Sequence, residues 1–226
     1  MLLLSCYFGF GACWASFVTT MTSRHLLAPQ RSYPPYSICE HCHHRLHAWQ
    51  LCPISGWLSQ GGRCYWCHCR LSALAPVTEA LTGGSWAVLA PNNFTNWLAL
   101  LLVSSGCLMM VTTDWQAQWI TPPCLVSFAG LLVLTPVLHH WLLDSFLALL
   151  WLSLTFAPGF GRGDGEWLAI LTLVIGARPT CAVILWGYLL ALSDRRLWHH
   201  QPIPLIPYLT GGLWLTLLTY PTGWPW

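Results

Sequence analysis

Apolar and polar positions fall into long blocks along the chain. Residues 1–23, "MLLLSCYFGFGACWASFVTTMTS", are apolar with few interruptions and end at Arg24. Residues 24–74 form a polar block. Apolar runs then return, each closed by a turn or charge signal. "LAPVTEALTGGSWAVLAP" ends at Pro91-Asn92-Asn93, "NWLALLLVSSGCLMMVTT" at Asp114 and "WITPPCLVSFAGLLVLTPV" before His139-His140. "WLLDSFLALLWLSLTFAPG" runs up to the glycines between Gly161 and Gly165, "EWLAILTLVIG" to Arg178-Pro179, and "CAVILWGYLLAL" to Asp194-Arg195-Arg196. "PLIPYLTGGLWLTLLTY" closes the series. Counting the first run, the pattern predicts eight helices, several shorter than the ~20 residues that a perpendicular membrane span needs. The short pair either side of Arg178-Pro179 also reads as one kinked or re-entrant helix, so the expected count is six to eight.

Composition makes these helices membrane spans. The 226 residues are 55% hydrophobic and 7% charged, with a mean hydropathy of +0.54, whereas a soluble domain carries roughly 25% charged residues. Sixteen Trp and seven Tyr suit a chain with many lipid–water boundaries. The net charge of +2 and the lack of any basic tract beyond Arg195-Arg196 argue against a nucleic-acid partner; the expected surroundings are the lipid bilayer. The first apolar run lacks a basic leading region and an A-x-A cleavage site, so it reads as a retained span rather than a signal peptide.

Orientation follows from arginine, because the chain has no lysine. Five of the nine basic residues, Arg24, Arg31, Arg45, Arg63 and Arg70, lie in the polar block, which places it in the cytoplasm. Alternating spans from there put Arg162, Arg195 and Arg196 on the same side and leave Arg178 alone outside. The expected organisation is a first span over 1–23, a cytoplasmic loop domain over 24–74, and a membrane-embedded core over 75–226. A consequence is that Asp114 and Asp164, ending the third span and opening the sixth, share one membrane depth.

Two motifs carry chemistry. "SICEHC" and "GRCYWCHC" hold Cys39-x-x-Cys42 and Cys64-x-x-Cys67, a spacing that presents four thiolates to a tetrahedral ion. Disulfides compete with this reading, but a cytoplasmic loop is kept reduced. Four thiolates fill the sphere of zinc and leave no place for a catalytic water, so the metal would be structural. Cys52, Cys69, His41, His43, His44, His47 and His68 are alternative ligands or packing residues, and cysteines in the apolar runs are small hydrophobes. The fold class expected is therefore all-α and polytopic, with a small zinc-binding cytoplasmic loop.

The second motif is the pair of acids. An ionisable group at membrane depth marks function or else is a solvated helix end. If Asp114 and Asp164 face one cleft they share a proton. One acts as base on a water while the other donates to the developing oxyanion. Gly161, Gly163 and Gly165 allow close backbone approach beside Asp164. Glu79 and Asp144 are rivals: Glu79 opens its span on the inner side, where it would cap a helix or pair with an arginine, and Asp144 sits at the outer end of its own.

These residues resemble a family. "GFGACWASFVTTMTSR" is similar to the G-SF-N---R opening of bacterial type IV prepilin peptidases. The segment from Ser37 to Glu79 resembles their S-C-x-x-C…G-R-C-x-x-C…P-x-x-E loop in order and spacing. "VTTDWQAQWI" resembles the first aspartate motif, "GRGDGEWLA" the G-x-G-D motif and "PLIPYLTGG" the terminal PFGP segment. Departures include Ala15 and Thr19 in the opening motif, Gln116 and Thr121 after the first aspartate, Glu166 after the second, and Leu205 and Ile206 in place of the Phe and Gly of PFGP.

The resemblance implies catalytic roles for Asp114 and Asp164, motif-supporting roles for Gly161, Gly163 and Glu79, and zinc at Cys39, Cys42, Cys64 and Cys67. It implies prepilin or pseudopilin substrates, and a location in the bacterial inner membrane with the active site facing the cytoplasm. It also implies S-adenosylmethionine as methyl donor for N-methylation of the trimmed terminus. Two readings from other classes stand beside it. A non-catalytic assembly or scaffold protein with a zinc-stabilised handle gives the acids no role, and a small transporter has no need of the cysteine block.

Overall fold

The computed structural model describes residues 2–27, 34, 36–90, 93–117, 126, 141–156, 161–199 and 203–219. Apart from two isolated β-bridges, the regular structure among them is helical. Apart from Val126, the apolar run 119–137, with Cys124 and Thr121, lies outside the described residues, as do Arg31 and His139-His140. The chain divides into two compact units, Met1–Ala90 and Pro91–Trp226.

The first unit is built on α1 (Leu2–Met21) and α2 (Leu74–Leu89). α1 continues as a π-helical turn over Thr22–Leu27, and the stretch Leu2–His25 is long and apolar enough to cross a membrane. The two helices pack closely because each offers a glycine to the other. A Cβ on Gly11 would lie 2.9 Å from Thr82 O and from Trp86, and one on Gly83 would lie 2.8 Å from Phe8 O. Small residues at such a seam let backbones approach where lipid supplies no hydrophobic drive. Trp86 is fully buried there, with the Phe10 ring at 4.8 Å. The hydroxyls of Thr19, Thr20 and Thr22 donate to carbonyls one turn back, which satisfies them inside an apolar helix.

Between α1 and α2 lies the cysteine loop. It contains a 3₁₀ turn at Ala48–Leu51 and a short helix at Ser55–Ser59. Gln50 organises this segment: its Oε1 accepts from His47 N–H at 2.7 Å, and its Nε2 donates to Gln60 Oε1 at 2.9 Å.

The second unit holds α3 (Phe94–Ala117), α4 (Trp141–Leu154), α5 (Arg162–Ile175), α6 (Ala177–Ala191) and α7 (Ile206–Thr219). α3 is the second helix long and apolar enough to span a bilayer, while Leu142–Leu154 and Ala177–Ala191 are shorter apolar helices. α7 packs on α6 and α3, and α4 on α5. The α6–α7 seam is again built on glycine: a Cβ on Gly212 would meet Val183 O and, at 2.7 Å, Gly187 N.

The pair of helices around Arg178-Pro179 is separated at Gly176, two positions before Arg178. Its φ of 87° and ψ of 166° are open to glycine and strained for other residues. Gly176 N–H closes α5 on Thr172 O at 2.9 Å, and α6 begins at the next residue. Pro179 sits in the first turn of α6, where its missing N–H removes no helical bond. Asp144, buried on α4, accepts from the buried N–H of Ala177, the first residue of α6, at 2.8 Å. This rival acid is a cap for α6.

Candidate active site and metal centre

Both acid motifs stand at helix ends within the second unit. Asp114 lies in the last turns of α3 and is buried. Its Oδ2 accepts from the backbone N–H of Ile206, the first residue of α7, at 3.0 Å. A helix start leaves its leading N–H groups without intrahelical partners, so the terminal segment of the chain supplies a donor that a buried carboxylate requires. The donor belongs to the backbone and survives any residue at 206 except proline, which has no N–H.

Asp164 lies half-buried in the first turn of α5, after Gly161 as the cap residue. The turn is closed by Asp164 N–H and Gly165 N–H, both donating to Gly161 O at 3.1 and 3.3 Å. The carboxylate folds back over Gly161, where an added Cβ would meet Oδ2 at 2.5 Å. Gly161 has an ordinary φ of −67°, so glycine is needed here for space rather than for conformation. Gly163 is half-buried in the same turn. Asp164 stands within reach of the charge of Asp114, although fifty positions of chain separate them. Arg162 pairs with Glu166 at 3.5 Å across one turn on the outside, a contact worth little in water.

On the Asp114 side lies a polar cluster that single-residue reasoning missed. Arg196 stacks over the ring of Trp115, the neighbour of Asp114, with its guanidinium carbon 5.5 Å from the centroid. Asp194 accepts from Tyr208 Oη at 2.6 Å and from Arg196 N–H at 2.9 Å. The Tyr208 hydroxyl, then the Arg196 N–H, hold the Asp194 carboxyl below its ordinary value. These bonds fasten the connection between α6 and α7, and so fix the N–H that Asp114 uses. The signal available in sequence was Asp194 placed two residues before Arg196, a helix-capping arrangement.

In the first unit, Glu79 is buried on α2, in its second turn. Its Oε2 accepts from Ile54 N–H at 2.7 Å, and its carboxylate also bonds Ser16 of α1. Ile54 holds φ 59° and ψ −58°, a region that a β-branched side chain avoids. One carboxylate thus ties the cysteine loop to both helices of the unit and holds a strained residue in place.

The loop folds as two matching turns. Cys39 N–H donates to His44 O and His43 N–H returns to Cys39 O, both at 2.9 Å; Cys64 N–H donates to Cys69 O at 2.9 Å and His68 N–H to Cys64 O at 3.0 Å. His43 and His68 take left-handed φ values of 57° and 54°, and the bridges Ile38–Arg45 and Arg63–Arg70 close the two bases. N–H groups of His41 and Cys42 point at Cys39 Sγ. The N–H of Cys69, in the same way, pulls the Cys67 thiol down to about 6.

The turns bring their sulfurs together. Those of Cys39, Cys64, Cys67 and Cys69 all lie within 4.8 Å of one another. Cys39 Sγ is 3.9 Å from Cys67 and from Cys69, and Cys42 Sγ is 4.0 Å from Cys64. Four thiolates at ~2.3 Å from a tetrahedral zinc are about 3.8 Å apart, so the donor set and its spacing fit that ion. A disulfide needs sulfurs at ~2.05 Å, and these cysteines are free. Cys69, treated in the sequence as one alternative among several, therefore belongs to the cluster, while Cys52 is an exposed free thiol.

The chain is similar to known proteins. Residues 10–92 match the Bacterial Peptidase A24 N-terminal domain. A prepilin leader peptidase/N-methyltransferase of Stutzerimonas stutzeri is 30% identical over 210 residues, covering 81% of this chain and 72% of its own. Its namesake from Aeromonas hydrophila is 30% identical over 84% of this chain and 73% of its own. The namesake from Bacillus subtilis is 29% identical over 96% of this chain and 94% of its own. No solved structure matches at a significant level. Identity on this scale over most of the chain, with the family model matched over residues 10–92, makes the chain a member of the prepilin leader peptidase family.

Proposed function

We propose that the chain is a membrane aspartic endopeptidase that removes the short leader of type IV prepilins or pseudopilins at the cytoplasmic face of the bacterial inner membrane. The observation that carries the reading is the approach of Asp114 and Asp164, at the ends of α3 and α5, in a family whose named relatives are prepilin leader peptidases. In this mechanism the two carboxylates share one proton. The ionised one takes a proton from water as its oxygen attacks the scissile carbonyl. The protonated one donates to the carbonyl oxygen as charge develops there. Collapse of the tetrahedral intermediate breaks the C–N bond, and the new amine leaves with a proton from the pair.

Ile206 N–H orients Asp114, and the space over Gly161 admits the Asp164 carboxylate, with Gly163 in the same turn. Glu79 positions the cysteine loop. That loop, over residues 24–74, is the cytoplasmic handle between a first span over 1–23 and a core over 75–226, in a bundle of six to eight spans. Cys39, Cys42, Cys64 and Cys67 hold structural zinc, whose role is to fix the two turns. The names of the relatives also support N-methylation of the trimmed terminus with S-adenosylmethionine.

The test is incubation of the purified chain in detergent with a prepilin and with labelled S-adenosylmethionine. The reading expects a product shortened at its N-terminus, and methylation reads as label on that product. An intact prepilin after incubation with folded, metal-loaded protein would favour a scaffold role.

A further inference from the structure

The two cysteine turns correspond residue for residue. Cys39 matches Cys64, Cys42 matches Cys67 and left-handed His43 matches left-handed His68. At the last position the correspondence breaks: the first turn has His44, whose ring lies 4.1 Å from that of Trp66, and the second has Cys69. The loop therefore gathers five sulfurs where a tetrahedral ion takes four. Three of them, Cys39, Cys64 and Cys67, belong to both possible sets. Cys39 and Cys64 are buried, and Cys42, Cys67 and Cys69 are half-buried; Cys42 and Cys69, the two that differ between the sets, form the rim. Each rim sulfur already stands at a tetrahedral edge length from a buried one, Cys42 at 4.0 Å from Cys64 and Cys69 at 3.9 Å from Cys39.

Resting on the metal-binding role proposed above, we propose that Cys69 is a metal ligand in its own right and exchanges with Cys42 for the fourth position. Cys39, Cys64 and Cys67 form the constant part of the site. The ion would be held by one rim sulfur at a time, and the other rim thiol would stand beside the filled site. The centre then always presents a free thiol at its edge and keeps its metal when one rim cysteine is lost.

The experiment measures zinc content, and the thiolate-to-cobalt absorption after cobalt substitution, on the full chain in detergent. Cys42→Ser and Cys69→Ser should each retain the metal equivalent of wild type with a four-thiolate cobalt spectrum. The double variant and Cys64→Ser should lose it. Alkylation of folded, zinc-loaded wild type, read by mass spectrometry, should label Cys42 and Cys69 each in part and spare Cys39 and Cys64. Each rim cysteine should become protected when the other is replaced. Loss of metal from one single variant but not the other, or full labelling of one rim cysteine with none of the other, overturns the exchange. Wild-type protein that binds no zinc or cobalt overturns the metal reading itself, and the exchange with it.

Discussion

At the scale of the residue, position of the acids was legible because charge is scarce in this chain. Seven acidic residues in an apolar sequence mark themselves, and Asp114 and Asp164 stand at the ends of α3 and α5. Their partners were not legible. The donor to Asp114 is a backbone N–H at Ile206, and a backbone donor leaves no trace in residue type. This also accounts for Ile206 standing where the resembled motif has glycine: the bond does not use the side chain. Gly161 yields a sharp prediction. Its φ suits alanine, but the new Cβ would meet Asp164 Oδ2 at 2.5 Å. Gly161→Ala should cut leader cleavage by about tenfold or more, as a misplaced catalytic group does, while circular dichroism and thermal unfolding stay near wild type. Full activity in that variant would mean that the Asp164 carboxylate need not occupy this space.

At the scale of the element, apolar runs located the helices, but the turn between α5 and α6 belongs to Gly176 and not to the Arg178-Pro179 signal. Proline in a first helical turn is as favourable as proline beyond a helix end, so the dipeptide alone could not say which. Asp144 was read as an outer acid at a span end, and the structure gives it a cap. Asp144→Ala leaves Ala177 N–H buried without its acceptor and should cost about 1–3 kcal/mol, read as a lower unfolding temperature in detergent. A shift no larger than that of a surface control would remove the capping role.

Asp194 provides a pH dependence. Its folded carboxyl is held below the ordinary value by Tyr208 and Arg196. Its stabilisation is therefore present above the unfolded-state value of ~3.9 and is lost as pH falls through the folded one. Wild type should exceed Asp194→Asn in unfolding temperature at neutral pH, and the gap should close in acid. A gap that is constant from neutral pH to well below pH 4 would contradict this linkage.

At the scale of the whole molecule, cysteine spacing announced the cysteine cluster, and what spacing could not announce was the fifth sulfur. C-x-x-C reads pairs, whereas Cys69 joins the cluster through the left-handed turn at His68, a matter of backbone path. Arg45, Arg63 and Arg70 sit at the bridges closing the two turns, and no lysine competes for trypsin. Chelation of the metal should therefore speed tryptic cleavage at these arginines, and zinc should restore protection. Cleavage rates indifferent to chelator would show that the turns hold without the ion.

The central claim is that Asp114 and Asp164 act as one catalytic unit, and it is tested most directly by prepilin leader cleavage with Asp114→Asn, Asp164→Asn and the double variant. Groups that act together lose activity together. The account predicts that each single variant, folded and metal-loaded, is as inactive as the double. Normal leader processing by either single variant would contradict it.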